Sequence, residues 1–348
     1  MRFPFIFRII ASACNFNKSQ ITSSRKDWIT NMSKQHDGQQ ALNEQPANDG
    51  RTVLLFGEIL ADMFPERSVL GGAPFNVARH LAAFGLKAVL ISRTGRDRLG
   101  EEIRAAMAAA GMDTDAVQLD ADHPTGRVRV LMEKGGHRFE ILPEQAYDFI
   151  DPEAARAAAL SRTPSMVYFG TLSQRGEVSR RALEAVLAAA PAPRFVDLNL
   201  RDPWYTEESI RFSLGQADIL KINAEELMAL GHLLGLPGED QEDRVRALMR
   251  DFGIGRAIVT CAEEGAWQVL EGGEWTATPL SFEEPDVVDT VGAGDGFSAV
   301  CILGAVSGWP VAKTLNRADA FARAICGVRG AAPDGDGFYQ PFFREWNA

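Results

Sequence analysis

The stretch VVDTVGAGDGF, residues 287–297, joins a short glycine loop to an acid and leads directly into the apolar run GFSAVCILGAVSGW. A glycine loop that opens a helix leaves backbone N–H groups unpaired, and the helix dipole adds positive charge, so such a site favours an anion such as a phosphate. Asp295 lies where that anion would bind, and a carboxylate there repels it. This placement indicates a catalytic base, although a helix-capping Asp has the same local pattern.

Phosphoryl transfer to an alcohol needs a positioned hydroxyl, stabilisation of phosphate charge and a proton acceptor. In such a reaction Asp295 would accept the proton of the hydroxyl. The backbone N–H groups of Gly292, Ala293 and Gly294 would form an anion hole that stabilises the charge of the transferring phosphoryl group. The helix N-terminus predicts a lowered pKa for Asp295. The sequence contains no GxxxxGK[ST], which excludes a P-loop NTPase, and GEILAD rather than GxGxxG follows the first predicted strand, which disfavours a Rossmann dehydrogenase.

A second motif, GGAPFN at residues 71–76, lies far upstream of DTVGAGDGF. Together the two resemble the signatures of the ribokinase/PfkB-type carbohydrate kinases, over roughly residues 52–345, and GGAPFN resembles the fructokinase-like branch. The resemblance implies a ribokinase-like three-layer α/β fold, with a small β-sheet lid over the sugar. It also implies ATP as phosphoryl donor, Mg²⁺ as cofactor, and dimerisation through the lid as a common property of relatives.

Several residues near the start of the predicted domain are candidate contacts for the sugar. Asp62 ends the strand segment GEILAD, where a carboxylate meets the ligand crevice of an α/β sheet, and the resemblance places a sugar-binding Asp there. The alternative for Asp62 is a solvated turn. Asn76 could bind another hydroxyl, while Gly71 and Gly72 allow close approach of the backbone. Ribose-specific relatives carry a lysine in this loop, whereas Ala-Pro stands here, which weakens ribose as the substrate.

Two arginines are further candidates on the substrate side. Arg201, in the D-x-N-x-R pattern of VDLNLRDPW, could bind a phosphate bidentately or bridge to a carboxylate. Arg138, on a predicted hairpin, could reach the sugar or a phosphate on it, although an exposed strand arginine is the commoner case. Together with Arg127 and Arg129, these arginines could bind a phosphate on the acceptor, so a sugar phosphate is an alternative substrate.

The candidate nucleotide residues follow two later strands. Asn223 and Glu226 resemble the family's NxxE motif, in which the pair holds the water shell of Mg²⁺, but the same spacing forms a helix capping box. Thr260 and Gly265 resemble the family's T-x-G-x-x-G, although Ala262 replaces one glycine and leaves the geometry of this loop open.

The resemblance also implies a monovalent cation, K⁺, beside the anion hole. Asp289 matches its ligand position, with carbonyls near Val291 and Gly330. An acid at this position could equally hold the loop by hydrogen bonds.

Composition and charge narrow the class of protein. The chain has 348 residues, 46% hydrophobic and 24% charged, as in ordinary globular proteins. A formal net charge of −11 without a basic block argues against a nucleic-acid partner. Four cysteines without metal-ligand spacing predict a reducing, cytoplasmic compartment and no structural metal.

Residues 1–50 differ from the rest of the chain. Their apolar start is interrupted by Arg8 and is too short to span a membrane, and residues 15–50 are polar without periodicity, so we expect a disordered extension. Met32 is an alternative translation start. No later segment is predicted to enter a membrane.

From residue 51 onward, apolar strands alternate with helical patterns, which predicts one kinase domain over 51–348, built on a mainly parallel sheet covered on both faces. A period-two hairpin around Gly135-Gly136 breaks this rhythm. Residues 62–70 and 123–145 are the predicted lid.

Fructose is the first choice of acceptor, because of the GGAPFN form and the absence of the ribose-type lysine. The alternatives are 2-keto-3-deoxygluconate, ribose, a nucleoside or a sugar phosphate. A catalytically silent sugar- or nucleotide-binding regulator is an alternative of another class.

Overall fold

The computed structural model describes residues 51–133, 136–238, 240–279, 287–333 and 335–346. The expected extension at residues 1–50, with Met32, and Gly135 of the hairpin lie outside these ranges. The strands are β1 (Thr52–Phe56), β2 (Leu60–Met63), β3 (Ser68–Gly71), β4 (Lys87–Gly95), β5 (Val117–Asp120), β6 (Gly126–Glu133), β7 (Gly136–Ile141), β8 (Pro164–Phe169), β9 (Arg194–Asp197), β10 (Ile219–Asn223), β11 (Arg256–Thr260), β12 (Ala266–Leu270) and β13 (Trp275–Ala277).

The helices alternate with these strands along most of the chain. They are α1 (Ala73–Ala83), α2 (Arg98–Ala109), α3 (Pro152–Leu160), α4 (Glu177–Ala189), α5 (Glu207–Gln216), α6 (Ala224–Leu234), α7 (Gln241–Phe252), α8 (Ala293–Ser307), α9 (Val311–Cys326) and α10 (Gln340–Trp346). Within the described ranges, none of them combines the length and the hydropathy that a bilayer crossing requires.

A nine-stranded sheet has the order β13-β12-β11-β10-β9-β8-β1-β4-β5. Its strands pair in parallel except at β12 and β13, which are antiparallel. A separate four-stranded sheet has the order β3-β2-β6-β7 and contains the predicted hairpin as β6 and β7. A mainly parallel sheet with surrounding helices and a second, small sheet confirms the predicted fold class.

The core lies on the inner strands of the large sheet. Every residue of β1 is buried, and β4 is buried over Ala88–Ser92. Strands that are covered by helices on both faces read as continuous apolar runs, as TVLLF and AVLI do. Ligands of such sheets bind where the carboxyl ends of the strands meet. Here β1, β9, β10 and β11 end at that edge.

Two helices that begin with glycine point their first turns toward this edge. The cap residue of α1 is Gly72, with φ 106°, and Pro74 occupies its first turn, where a missing N–H costs nothing. The cap residue of α8 is Gly292, with φ 82°. Neither helix has a side chain on its own cap residue to satisfy the first N–H groups, so these groups need partners from elsewhere.

Candidate active site

A cavity of about 440 Å³ opens between the two sheets at the carboxyl edge of the large one. It brings together residues that are far apart in the sequence. The predicted site residues that line it are Asp62, Gly71, Gly72, Asn76, Arg201, Asn223, Thr260, Gly292, Gly294 and Asp295.

Asp295 stands in the first turn of α8 and is partly buried. Its Oδ2 accepts a hydrogen bond from Nδ2 of Asn76 at 2.8 Å. Burial raises the pKa of Asp295 to about 6, and the charge of Asp197 adds to this, while the Asn76 bond, Lys221 and Arg201 oppose it. The lowered pKa expected from the helix N-terminus is therefore wrong, because the loss of solvent around the carboxylate outweighs the favourable dipole. A carboxylate with this pKa is ionised at neutral pH and is a stronger base than an exposed one.

The glycine loop before Asp295 fits the geometry of an anion hole. No acceptor in the described parts of the chain takes the N–H of Gly292 or Gly294, and Ala293 N donates only a long bond of 3.3 Å to Thr290 O. A Cβ on Gly292 would lie 2.4 Å from Cα of Ala331, so only glycine fits here. The loop can therefore present N–H groups to an anion.

His80 of α1 holds the segment against which Gly292 packs. Its Nε2 lies 3.0 Å from the carbonyl oxygen of Ala331, and its Nδ1 lies 3.0 Å from the hydroxyl of Tyr339. A carbonyl only accepts, so Nε2 carries the proton. Burial lowers the pKa of His80 to about 3, so the ring is neutral.

Lys221, which the sequence analysis missed, lies directly beneath the glycine loop. Its Nζ is 3.1 Å from both carboxylate oxygens of Asp197, and a Cβ on Gly294 would be 3.3 Å from Nζ. Burial disfavours the ammonium, but the carboxylates of Asp197 and Glu226 outweigh it and raise the pKa of Lys221. The cavity thus has a permanent positive charge under its anion-binding loop. The signal in the sequence was a lysine inside the apolar strand ADILKIN.

The part of this first cavity beside the small sheet carries carboxylates, and we call it the acceptor half of the site. Asp62, on β2, lies against the loop, since a Cβ on Gly71 would be 3.7 Å from its Oδ2. Burial raises the pKa of Asp62 to about 6; Arg201 lowers it and Asp289 raises it. Glu58 also lines this half, and the sequence analysis missed it.

Asn76 and Arg201 complete the acceptor half. Asn76 is 4% exposed, and its Oδ1 is buried without a hydrogen-bond partner among the described residues. Arg201 is exposed and lines the cavity, as does Asn199, another residue missed from the sequence, with φ 44°. Arg138 is not brought to the cavity: its neighbour Phe139 and Ile141 line it, so the alternation of β7 places Arg138 on the opposite face.

A second cavity of about 490 Å³ adjoins the first, and we call it the nucleotide half of the site. It is bordered by the N-terminus of α6, the turn after β11 and the start of α8, and Asn223, Thr260 and Gly294 line both cavities. Ala262 has φ 48°, so this alanine adopts the left-handed conformation typical of the glycine it replaces. Gly265 has φ 89°, and a Cβ there would meet Oγ1 of Thr278.

Asn223 and Glu226 form a complete capping box at the start of α6. Asn223 Oδ1 accepts from Glu226 N at 2.7 Å, and Glu226 Oε2 accepts from Asn223 N at 2.8 Å. Glu226 Oε1 also accepts from Leu200 N at 2.7 Å. Both oxygens are therefore already in use, and no cluster of three metal-ligating side chains occurs in the part of the chain that is described. Asn223 lines both cavities and Glu226 lines neither, so the role of this pair in holding Mg²⁺ stays a prediction.

Asp289 holds the loop through both of its oxygens. Oδ1 accepts from Val291 N and Oδ2 from Gly330 N, each at 3.1 Å. The hydrogen-bonding alternative considered for this acid is thus present in the structure. A monovalent cation at Asp289 stays a prediction.

Comparison with known proteins agrees with this geometry. Residues 56–335 match the family described as pfkB family carbohydrate kinase. The fructokinase of Escherichia coli is 29% identical over 72% of this chain and 83% of its own length, and the aminoimidazole riboside kinase of Salmonella typhimurium is 29% identical over 78% and 83%. The structure of a fructokinase from Xylella fastidiosa with bound ATP superposes with a TM-score of 0.71 at 22% identity, over 85% of this chain and 99% of that one.

The family match and the relatives make this chain a carbohydrate kinase, a class with which the geometry of the site agrees. The match over residues 56–335 covers most of the chain, so this protein belongs to the pfkB family of carbohydrate kinases, and it is a phosphotransferase that acts on a sugar. The family that the two sequence motifs resemble is thereby confirmed.

Proposed function

We propose that the protein transfers the γ-phosphoryl group of ATP to a hydroxyl of fructose. The observation that carries this choice is the chemistry of the acceptor half. Asp62 offers two oxygens to sugar hydroxyls, Asn76 offers an unpartnered Oδ1, and Leu60, Val128 and Leu172 supply apolar surface. Apart from Lys221 beneath the glycine loop, Arg201 is the one cationic side chain among the described lining residues. A neutral acceptor rich in hydroxyls fits this lining.

The chemical step follows from the placement of charge. Asp295 takes the proton of the acceptor hydroxyl, whose oxygen forms the new bond to the γ-phosphorus while the bond to ADP breaks. The N–H groups of Gly292, Ala293 and Gly294 and the ammonium of Lys221 stabilise the charge on the transferring group. Asn76 keeps the base carboxylate in one orientation through its 2.8 Å bond. ATP lies along the nucleotide half, where Thr260 and Gly265 shape the turn.

Bound together with the nucleotide, Mg²⁺ would supply charge neutralisation at the phosphates. Asn223, which lines both cavities, would reach its water shell, whereas Glu226 lines neither cavity and would act on the ion through Asn223. Asp289 would hold K⁺ beside the glycine loop.

A carboxylate-bearing acceptor such as 2-keto-3-deoxygluconate is a second candidate, and the observation that favours it is Arg201. A guanidinium at the mouth of the cavity could bind a carboxylate bidentately. Against it, Glu58 and Asp62 line the same half and repel an anion.

An ADP-release assay with Mg-ATP and K⁺ tests the proposal. The acceptors are fructose, 2-keto-3-deoxygluconate, ribose, aminoimidazole riboside, adenosine and fructose 6-phosphate. We expect the highest kcat/KM with fructose. A higher kcat/KM with 2-keto-3-deoxygluconate would replace fructose by the second candidate. No turnover with any acceptor, combined with calorimetric binding of fructose or ATP, would favour a silent binding protein.

A further inference from the structure

Glu58 is a buried acid at the active site to which the proposed chemistry gives no role. It follows Gly57 at the carboxyl end of β1, is 4% exposed, and lines the acceptor half. Its Oε1 accepts a hydrogen bond from the backbone N–H of Ala73 at 3.3 Å. Ala73 is the first residue of α1, so the carboxylate of Glu58 caps this helix from the end of β1, 15 residues earlier in the chain.

The start of α1 depends on such an outside partner. Its cap residue, Gly72, has no side chain, and the first turn contains a proline. The loop also packs directly on Glu58, because a Cβ on Gly72 would lie 2.6 Å from the carbonyl oxygen of Glu58 and 3.4 Å from its Cγ. Backbone and side chain of Glu58 therefore form the surface on which the Gly71-Gly72 loop rests.

The helix that Glu58 caps carries two parts of the site. Gly71 and Gly72, at its start, line the acceptor half. Asn76, within its first turn, donates to the carboxylate of Asp295. A shift of the start of α1 would therefore move the acceptor loop and the partner of the base together.

We propose that Glu58 is a positioning residue of the acceptor site, which holds the Gly71-Gly72 loop and the first turn of α1 so that the sugar and Asp295 meet in a fixed geometry. The inference rests on the proposed function in that it takes the acceptor to be a sugar bound in this half of the cavity.

The protonation state of Glu58 sets the choice of variants. Burial raises its pKa to about 7; the neighbouring Asp295 adds to this and Arg201 opposes it. At neutral pH the protonated and ionised forms are both populated, and each keeps an oxygen that can accept from Ala73 N. Glutamine also offers such an oxygen, whereas methionine fills the same volume without one.

The test compares Glu58→Gln with Glu58→Met. In Glu58→Met we expect the KM for the sugar to rise about tenfold and kcat to fall several-fold, with the KM for ATP within about twofold of the parent, since one buried hydrogen bond is lost. Glu58→Gln should restore the sugar KM to within about threefold. Asp151→Ala is the matched control, because Asp151 caps α3, away from the cavity, through a 2.8 Å bond from Ala154 N.

Amide hydrogen exchange of residues 72–80 gives a second readout that needs no sugar. Faster exchange there in Glu58→Met, but not in Glu58→Gln or Asp151→Ala, is expected. Unchanged exchange and unchanged sugar KM in Glu58→Met would overturn the inference, and so would a Gln variant as defective as the Met variant. If the parent protein phosphorylates none of the sugars tested, the proposed function fails, while the exchange data still decide the role of Glu58.

Discussion

The acceptor half and the nucleotide half of the site differ in how far their polar groups are already satisfied. In the acceptor half, Asn76 Oδ1 is buried without a partner among the described residues, and Glu58 Oε1 accepts a long hydrogen bond of 3.3 Å. At the border of the nucleotide half, Asn223 lines the cavity and is satisfied by a capping box with Glu226, which lies behind it and lines neither cavity. Buried polar groups without partners mark places where a ligand is expected, whereas satisfied ones maintain shape.

This difference predicts that conservative substitutions act strongly in the acceptor half and at the junction of the two halves, and weakly in the nucleotide half. The site can thus be divided by experiment, with kcat, the KM for the sugar and the KM for ATP as separate readouts.

The largest effect is expected at the junction, from Asp295→Asn. Asparagine keeps an oxygen for the Asn76 amide but cannot take a proton, so kcat should fall about 10²–10⁴-fold. The variant should also be more stable at pH 7.5, because the raised pKa means that the ionised carboxylate destabilises the folded state above about pH 6. Near pH 4 this gain should vanish. Kinetics and thermal unfolding of Asp295→Asn measure both effects, with Asp113→Asn, at a remote ion pair with Arg162, as control. A kcat within tenfold of the parent would contradict the role of base.

Lys221→Met should lower kcat about 10²–10³-fold, because one preorganised positive charge is lost at the phosphoryl group. It also leaves the Asp197 carboxylate buried without its cation, so the Tm should fall as well. Lys221→Met/Asp197→Asn separates the two effects, since asparagine removes the buried charge and keeps an oxygen for the Ser298 hydroxyl. We expect stability to recover in the double variant while kcat stays low. If both the Tm and kcat recovered in the double variant, the role of Lys221 would be structural only.

The pH profile should show a steep acid limb. Asp295 and Asp62 both have pKa values raised to about 6, so each loses its charge as the pH falls through that value. The kcat/KM for the sugar should therefore fall between tenfold and a hundredfold per unit below about pH 6, according to whether one or both carboxylates must be ionised. Asp62→Asn should reduce the limb to a single ionisation. A flat profile down to pH 5 would show that neither raised pKa governs turnover.

Asp62→Ala should raise the KM for the sugar about ten- to a hundredfold, because two hydroxyls lose their acceptor. The KM for ATP should stay within about twofold, since Asp62 lines only the first cavity. This is the most direct test of the division between the halves. An equal rise in both KM values would show that the halves are coupled.

The sequence predicted the fold class and most of the polar side chains that line the first cavity, because these depend on local pattern. The glycines and Asp295 lie together within one loop, and the strand ends that carry Asp62, Asn223 and Thr260 meet at one edge as parallel strands must. Lys221 and Glu58 were missed because their roles come from partners on other elements, Asp197 at the end of β9 and Ala73 at the start of α1. The predicted direction of the shift in the pKa of Asp295 was wrong for a similar reason, since the burial of this carboxylate depends on how other elements pack around it. The roles of individual residues, Arg138 among them, stay predictions.

The smallest effect is expected at the turn after β11 in the nucleotide half, from Ala262→Gly. Ala262 adopts φ 48°, which is strained for a residue with a Cβ. Glycine removes this strain but makes the unfolded chain more flexible, so the free energy of unfolding should change by no more than about 1 kcal/mol. Because the alanine already has the glycine-like backbone, the KM for ATP should change less than about threefold, and the sugar KM not at all. Denaturant unfolding and kinetics with varied ATP measure this. A large gain in ATP affinity would mean that Ala262 distorts the turn. The backbone of the nucleotide half would then be strained, in contrast to its hydrogen-bonded polar groups.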